Sequence, residues 1–364
     1  MRVVVGMSGG VDSAVSAYLL KKEGYDVVGL FMKNWDSNIN HDKEGITDGV
    51  CPQELDYRDA KLVCDELCIP LYRVDFIKEY WDDVFKYFLS ELEKGRTPNP
   101  DIMCNKYIKF DLFKKEAKKL GADKIATGHY ARIKDNMLLR GIDDNKDQTY
   151  FLSQVSKEQL KDVLFPVGDL TKPEVRKIAK DNNLVVHDKK DSTGICFIGE
   201  RHYQEFIANY LKGKDGDIIN VETKEKIGTH HGLMNYTIGQ RRNVGLSGDE
   251  ERHYVCGKDS SKNILYVAYG SDSKYLLSDS AIIEDVNFIS DKRPVKATAK
   301  FRYRSKDIPV NIEYIDDTHI KVKYKDGKSV TPGQACVIYL GEECLGGGII
   351  KQVFKDNKDI WYLK

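Results

Sequence analysis

At 364 residues the chain is too long for one comfortable domain, and two or three are expected. Hydrophobic residues at 41% and charged residues at 31% are ordinary for a globular enzyme with a real core. Nothing approaches the apolar length that spans a bilayer, no signal-peptide pattern precedes the first strand, and eight cysteines in this length do not make a disulfide framework, so a reduced cytoplasmic setting is expected.

Residues 3–5 read as a buried strand, 11–23 as a helix closed by Gly24, and 27–32 as a second strand. A helix over 54–67, a strand over 71–76, and a helix over 80–92 ended by Gly95 follow. A basic amphipathic helix over 107–120, ended by Gly121, leads into a strand at 124–127. Strands separated by helices imply parallel pairing with right-handed crossovers, so an α/β doubly wound, mostly parallel sheet is expected over residues 1–204. From about residue 213 short β-rich segments are punctuated by glycines and Asp/Asn/Lys turns, which predicts a small β-rich connector (205–275) and a terminal β-barrel or sandwich (276–364).

The first strand runs into Ser8-Gly-Gly-Val-Asp-Ser13. Gly6, Gly9 and Gly10 let the backbone curl and present several N–H groups to one anion, Ser8 and Ser13 add hydroxyl donors, and a helix N-terminus points at the same place. A Walker A loop would end in Gly-Lys-Ser/Thr; here Asp12 stands where the lysine belongs. Asp12 would repel phosphate directly, so it is expected to hold Mg2+ that bridges phosphate oxygens. The bland alternative is a turn with Asp12 as an N-cap.

Two cysteines stand in informative company. Gly95-Arg-Thr-Pro-Asn-Pro-Asp-Ile-Met-Cys-Asn-Lys-Tyr-Ile-Lys-Phe110 places Cys104 between a proline-stiffened loop and a basic helix start, and Asp191-Ser-Thr-Gly-Ile-Cys196 places Cys196 in a glycine-flanked loop. Helix N-termini and nearby Lys or Arg favour thiolate, which a nucleophile or persulfide carrier requires. Cys51, Cys64, Cys68, Cys256, Cys336 and Cys344 read as packing, although Cys64 and Cys68, spaced as if on one helical face, could be drawn with His41 and Cys51 as a zinc site.

Ser8-Gly-Gly-Val-Asp-Ser13 resembles the signature loop of the ATP pyrophosphatases, which adenylate an oxygen and release pyrophosphate. With Asn99-Pro-Asp101, Gly128-His-Tyr130, Lys146-Asp-Gln148 and Asp191-Ser-Thr-Gly-Ile-Cys196, the whole chain resembles the bacterial tRNA-specific 2-thiouridylases, the MnmA/TrmU family. That resemblance implies ATP-dependent 2-thiolation of the wobble uridine of tRNA, with ATP and Mg2+ as cofactors. It implies that Gly6, Met7, Ser8, Gly9, Gly10, Val11, Asp12 and Ser13 hold the ATP phosphates, with Met32 and Gly128 bordering the adenosine. Asn99, Pro100 and Asp101 would surround the target uridine, Cys104 would be the nucleophile with Asp101 beside it, and Cys196 would carry the persulfide. His129, Lys146, Asp147, Gln148, Arg302, Tyr303 and Gln334 would contact tRNA. Sulfur would come from a cysteine desulfurase or a sulfur carrier, and a reductant would reopen a Cys104–Cys196 disulfide.

Three alternatives stay open. Asp101, Cys104 and Cys196 could ligate an iron–sulfur cluster. The chain could be a different ATP pyrophosphatase that uses a nitrogen nucleophile, or an RNA-binding adaptor with ATP as a structural ligand. The basic runs at 114–119 and 292–306 are expected to meet RNA phosphates, and His230-His231-Gly232 to be a turn.

Overall fold

The structure is a computed structural model that describes residues 1–42, 51–191, 194, 203–246 and 252–364. The chain opens with β1 (Arg2–Met7), α1 (Val11–Lys22), β2 (Asp26–Lys33), α2 (Pro52–Glu66) and β3 (Leu71–Asp75). After two long helical segments come β4 (Lys124–Ala126), the hairpin β5 (Ala131–Lys134) and β6 (Met137–Arg140), and the short β7 (Val163–Leu164). The first sheet has order β3-β2-β1-β4-β7, and its neighbours pair in parallel.

Both faces of this sheet are covered, which explains its unbroken apolar strands. Val3 and Val5 pack with residues of α1 and α2, whereas Val4, Leu30 and Met32 pack on the other face with Ile108, Phe110 and Phe113. The predicted helix stops are met: Gly24, Gly95 and Gly121 all have left-handed φ, of 87°, 74° and 78°.

The hairpin β5–β6 was not legible in the sequence. Asp135 and Asn136 form its turn, both with positive φ (51° and 59°), as a two-residue hairpin requires. It leaves the parallel sheet and extends the C-terminal one.

The connector is a four-stranded sheet of β8 (Asp215–Asn220), β9 (Lys226–His231), β10 (His253–Asp259) and β11 (Ile264–Tyr269), in the order β10-β11-β8-β9. His230 and His231 are the last residues of β9 rather than a turn, and the chain turns only at Gly232, with φ of 98°. The C-terminal sheet contains β12 (Leu277–Phe288), β13 (Lys296–Lys300), β14 (Ile308–Tyr314), β15 (Ile320–Lys328), β16 (Ala335–Leu340) and β17 (Glu343–Lys355). Its order is β12-β15-β14-β13-β16-β17, and pairing of β12 with β17 closes it. The choice between barrel and sandwich is thus settled as a barrel, whose closure removes exposed edges. β6 joins β17 at Leu139 and Glu343.

Lys258 of β10 is 3% exposed, and its ammonium donates to the Gly95 carbonyl at 2.9 Å. Among the described residues no carboxylate pairs with it, and burial pushes its pKa down to about 7. The unfolded chain holds that proton to about pH 10.4, so stability should rise with pH between 7 and 10 and carry the full burial penalty below 7. Lys258→Met is expected to stabilise the protein at pH 6.5 by on the order of 1–3 kcal/mol, with the gain shrinking towards pH 10. Melting temperatures of parent and variant across that range check it; parallel curves would refute the account.

Candidate active site

β1 ends at Met7, and Ser8-Gly9-Gly10 carry the chain into α1. The N-cap is Gly10, in extended conformation, and no side chain caps the first turn. The opening N–H groups of α1 and its positive end are therefore available to an anion. Ser8 Oγ lies 3.1 Å from Ser13 Oγ, and the Ser13 hydroxyl donates to the Gly10 carbonyl at 3.0 Å, which holds the curl.

The glycines are required by close approach. Gly9 has φ of 70°, and a Cβ there would overlap the Asp56 carbonyl oxygen of α2. A Cβ on Gly128, just past β4, would stand 2.8 Å from the Asp12 carbonyl carbon. A Cβ on Gly6 would meet Phe113 Cζ at 3.5 Å and Met32 Cε at 3.7 Å. Gly6 to Ser13, Met32 and Gly128 are thus gathered at the carboxyl ends of β1, β2 and β4. Strand order reverses there, between β1 and β4, where doubly wound sheets take ligands. Just past Met32, Asn34 is fully buried with neither Nδ2 nor Oδ1 bonded to protein, a polar demand for a ligand or water to meet. An uncapped helix end, a glycine cradle and an unmet carboxamide fit a nucleotide with its phosphates.

Asp12 is not an N-cap. Its Oδ1 accepts from the Tyr130 hydroxyl at 2.9 Å and from Lys172 Nζ at 2.6 Å. Lys172 Nζ also stands 2.9 Å from Asp191 Oδ1, and Asp191 further receives Lys146 at 2.5 Å and Arg176 at 2.5 Å. Burial works to raise the Asp191 pKa, but Lys146 and Lys172 hold the carboxyl down at about 2. Lys189 ties the underside of the loop, donating to the Gly9 carbonyl at 3.0 Å and to Asp56 at 2.8 Å.

The helix bearing Cys104 starts at Pro100, not at 107 as the sequence suggested. Asn99 is its N-cap, accepting from the Asp101 N–H at 3.1 Å, and Pro100 takes the first helical position. The expected loop covers residues 96–99, with Pro98 inside it, and ends at the Asn99 cap. The helix runs through Pro100–Met103, the π-helical Cys104–Leu112, and Phe113–Lys119. π-helical turns concentrate at functional sites. Cys104 is fully buried, in a core shared with Ile102, Tyr150, and the barrel residues Ala335 and Tyr339. Its helix reaches the phosphate loop through Phe113, nine positions on, or up to roughly 14 Å along the axis.

The barrel holds the approach to Asn99. Arg96 pairs with Glu91 and with Glu284 of β12, each at 3.1 Å. The Thr97 N–H donates to the Pro332 carbonyl at 3.1 Å, and Gln334 Nε2 donates to the Thr97 carbonyl at 2.6 Å. Gln334 therefore lies beneath the segment leading to Asn99, Pro100 and Asp101.

The remaining expected tRNA contacts are spread differently. His129 is 8% exposed, set against Phe110 and Phe165 with Nδ1 2.7 Å from Thr127 Oγ1, and burial pushes its pKa well below the usual imidazole value. Asp147 is buried, facing Arg140 at 3.6 Å and Lys300 at 3.4 Å. Gln148 Oε1 accepts from the Tyr130 N–H, and Lys146 is engaged with Asp191. Arg302 is mostly buried, donating to the carbonyls of Ile238 and Ser329, and Tyr303 packs on Phe151 with ring centroids 4.3 Å apart. Of the basic runs, Lys114 donates to the carbonyls of Glu158, Gln159 and Lys161, while Lys296, Arg304 and Lys306 are exposed.

Cys196 lies outside the described residues, and with it the iron–sulfur ligand set. Among the described residues no group of three His, Cys, Asp or Glu could hold a metal. Cys64 and Cys68 share no helical face, because α2 ends at Glu66 and Cys68 has φ of 49°. Burial pushes the thiols of Cys64 and Cys344 up to about 12, and those of Cys256 and Cys336 upward as well, as inert packing groups require. Among the described residues no helix is long and apolar enough to cross a membrane.

Sequence reasoning missed Lys172, Lys189 and the role of Asp191. One local signal existed. Lys172 opens a helix (Lys172–Asp181) whose Glu174 carboxylate reaches back to the Thr171 N–H at 2.7 Å. A lysine in a first helical turn runs against the helix dipole and needs a reason from elsewhere.

Family models match three stretches: a tRNA methyl transferase HUP domain over residues 1–200, a tRNA methyl transferase PRC-barrel domain over 204–269, and an aminomethyltransferase beta-barrel domain over 278–350. Among solved structures, NMN synthetase from Francisella tularensis is 18% identical over 52% of this chain and 66% of that one, with a TM-score of 0.32. A 4-thiouridine synthetase in complex with RNA and bound ATP is 15% identical over 57% of this chain and 50% of that one, with a TM-score of 0.34. Neither likeness is strong enough to add to the assignment. Full-length relatives decide it. The tRNA-specific 2-thiouridylase MnmA of Mycoplasmopsis synoviae (strain 53) is 54% identical over 99% of this chain and 98% of its own. That of Staphylococcus carnosus (strain TM300) is 51% identical over 100% of this chain and 98% of its own. With identity of that order from end to end, the chain belongs to the tRNA-specific 2-thiouridylase MnmA family.

Proposed function

We propose that this chain is an ATP-dependent tRNA 2-thiouridylase acting on the wobble uridine in the cytoplasm. The observation that carries the reading is the glycine-walled loop at the switch point of the sheet, tied through Gly6 and Phe113 to the helix that bears Cys104.

The C2 oxygen of uridine is a poor leaving group, and transfer of AMP to it, with release of pyrophosphate, makes it a good one. The loop residues Gly6 to Ser13 hold the phosphates, while Met32 and Gly128 border the adenosine. Mg2+, when bound, supplies charge neutralisation between the phosphates, with Asp12 as the carboxylate that would hold it. Asn99, Pro100 and Asp101 surround the extruded uridine. The exposed Lys296, Arg304 and Lys306 and the half-buried Lys146 and Gln148 meet the tRNA backbone, while the buried Asp147 braces Arg140 and Lys300 beneath them. Arg302, Tyr303 and Gln334 support that surface from beneath, and His129 packs under the site.

Cys196 receives sulfur as a persulfide from a cysteine desulfurase or a carrier. In one route the Cys104 thiolate attacks the inner sulfur, forming the Cys104–Cys196 disulfide and expelling HS−, which attacks C2 and displaces AMP. In the other, the terminal sulfur attacks C2 and displaces AMP, and Cys104 then attacks the Cys196 sulfur to release the thiocarbonyl. Both routes end in the same disulfide, and a reductant supplies two electrons to reopen it. Because Cys104 is fully buried, the exchange requires substrate binding to open its surroundings.

The test is transfer of labelled sulfur from cysteine, through a desulfurase, to unmodified tRNA. Label in tRNA should require ATP and release pyrophosphate in equal amount. Pyrophosphate release without label would refute thiolation and favour a nitrogen nucleophile.

A further inference from the structure

The phosphate loop lacks the lysine that a Walker loop carries at its helix start, yet a lysine is there in space. Lys172 comes from a helix 160 positions away, is 8% exposed, and places its ammonium 2.6 Å from Asp12 Oδ1 in the first turn of α1. We propose that Lys172 binds the β,γ-phosphates of the nucleotide, and that its bonds to Asp12 and Asp191 are its resting position. The proposal rests on the reading of the loop as an ATP site.

Three features carry it. The position is right: Asp12 lies in the first turn of α1, among the N–H groups that the helix offers an anion, so an ammonium held at its carboxylate stands beside the same phosphates. The surroundings agree too: Gly128 packs against the backbone of Asp12 and Ser13, and the Tyr130 hydroxyl joins Lys172 at the Asp12 carboxylate. The energetics agree. A lysine in the first turn of its own helix is opposed by the dipole, and of the two carboxylates it bridges, Asp191 is already served by Lys146 and Arg176. A polyphosphate would draw it off them without leaving Asp191 bare, because Lys146 and Arg176 remain.

The arrangement also suits the chemistry. The leaving group in adenylation is pyrophosphate, whose charge grows as the α–β bond breaks, and a cation supplied from outside the loop meets that charge without occupying the α-phosphate.

The experiment measures dissociation constants of ATP, inorganic pyrophosphate and AMP, with Mg2+ and without tRNA, for wild type, Lys172→Met and Lys172→Arg. Lys172→Met should weaken ATP and pyrophosphate about 10- to 100-fold while AMP changes less than about 2-fold, and Lys172→Arg should recover most of the loss. If Lys172 only braces Asp12 and Asp191, the variants will lower the melting temperature but keep the wild-type ratio of ATP to AMP affinity, and the assignment fails. Should Lys172→Met not fold, the same ratio in Lys172→Arg and Lys172→Gln decides the matter. Wild type that binds neither ATP nor pyrophosphate would instead overturn the reading of the loop itself.

Discussion

Serine in place of Cys104 or of Cys196 is expected to leave tRNA unthiolated, with sulfur transfer reduced at least about 1000-fold. A hydroxyl cannot hold a persulfide, and its high pKa keeps it from attacking one at neutral pH. The two variants should nonetheless differ. With Cys104→Ser, labelled sulfur should still load onto the protein at Cys196 and stop there. With Cys196→Ser no label should reach the protein by that route. Pyrophosphate release on adding tRNA should persist in both, since the phosphate loop is untouched. Cys104 sits fully buried among Ile102, Tyr150 and Tyr339, so a control for packing is needed; the melting temperature of Cys104→Ser should fall by no more than a few degrees. Either variant retaining a tenth of wild-type thiolation would remove that cysteine from the mechanism.

Gly9→Ala should be the most damaging single methyl group in the loop. A left-handed φ of 70° disfavours any L side chain, and the new Cβ would overlap the Asp56 carbonyl oxygen and approach the Asp56 carbonyl carbon to 2.9 Å. Backbone cannot swing aside as a side chain can, so α1 and α2 must separate or the loop must unwind. A loss of about 2–4 kcal/mol in stability is expected, with tRNA-dependent pyrophosphate release down about 100-fold. Gly10→Ala supplies the contrast, because Gly10 has φ of −102° and its nearest neighbour would be Ser8 Oγ at 3.4 Å. Its unfolding free energy should stay within about 1 kcal/mol of wild type. Equal destabilisation of the two variants in chemical denaturation would refute this account of Gly9.

Much of the fold was written locally. Val3, Val4 and Val5 announce a strand covered on both faces, and alternation between two core clusters is what the structure displays. Ser8-Gly-Gly-Val-Asp-Ser13 announces an anion loop because its determinants, missing Cβ atoms and a helix start, lie within six consecutive residues. The helix stops at Gly24, Gly95 and Gly121 follow from backbone sterics in the same way. The start of the Cys104 helix was misjudged because Asn99-Pro100 suits a loop as well as a cap, and only the Asp101 N–H to Asn99 Oδ1 bond distinguishes them.

Other features depend on residues far apart in the chain. The β5–β6 hairpin is short and weakly patterned, and β17, some 200 positions on, gives it a partner. Barrel closure rests on the β12–β17 pairing. That Asp147 and His129 are buried, although both stand among motif residues, follows from Arg140, Lys300, Phe110 and Phe165 closing over them. The sequence by itself determined the layered sheet and the glycine loop that ends β1, because turn sterics and burial period act within a few residues. The tertiary structure decided where the missing lysine comes from, since electrostatic partners are chosen by distance in space, and Lys172 reaches Asp12 only after the sheet has brought its helix alongside α1.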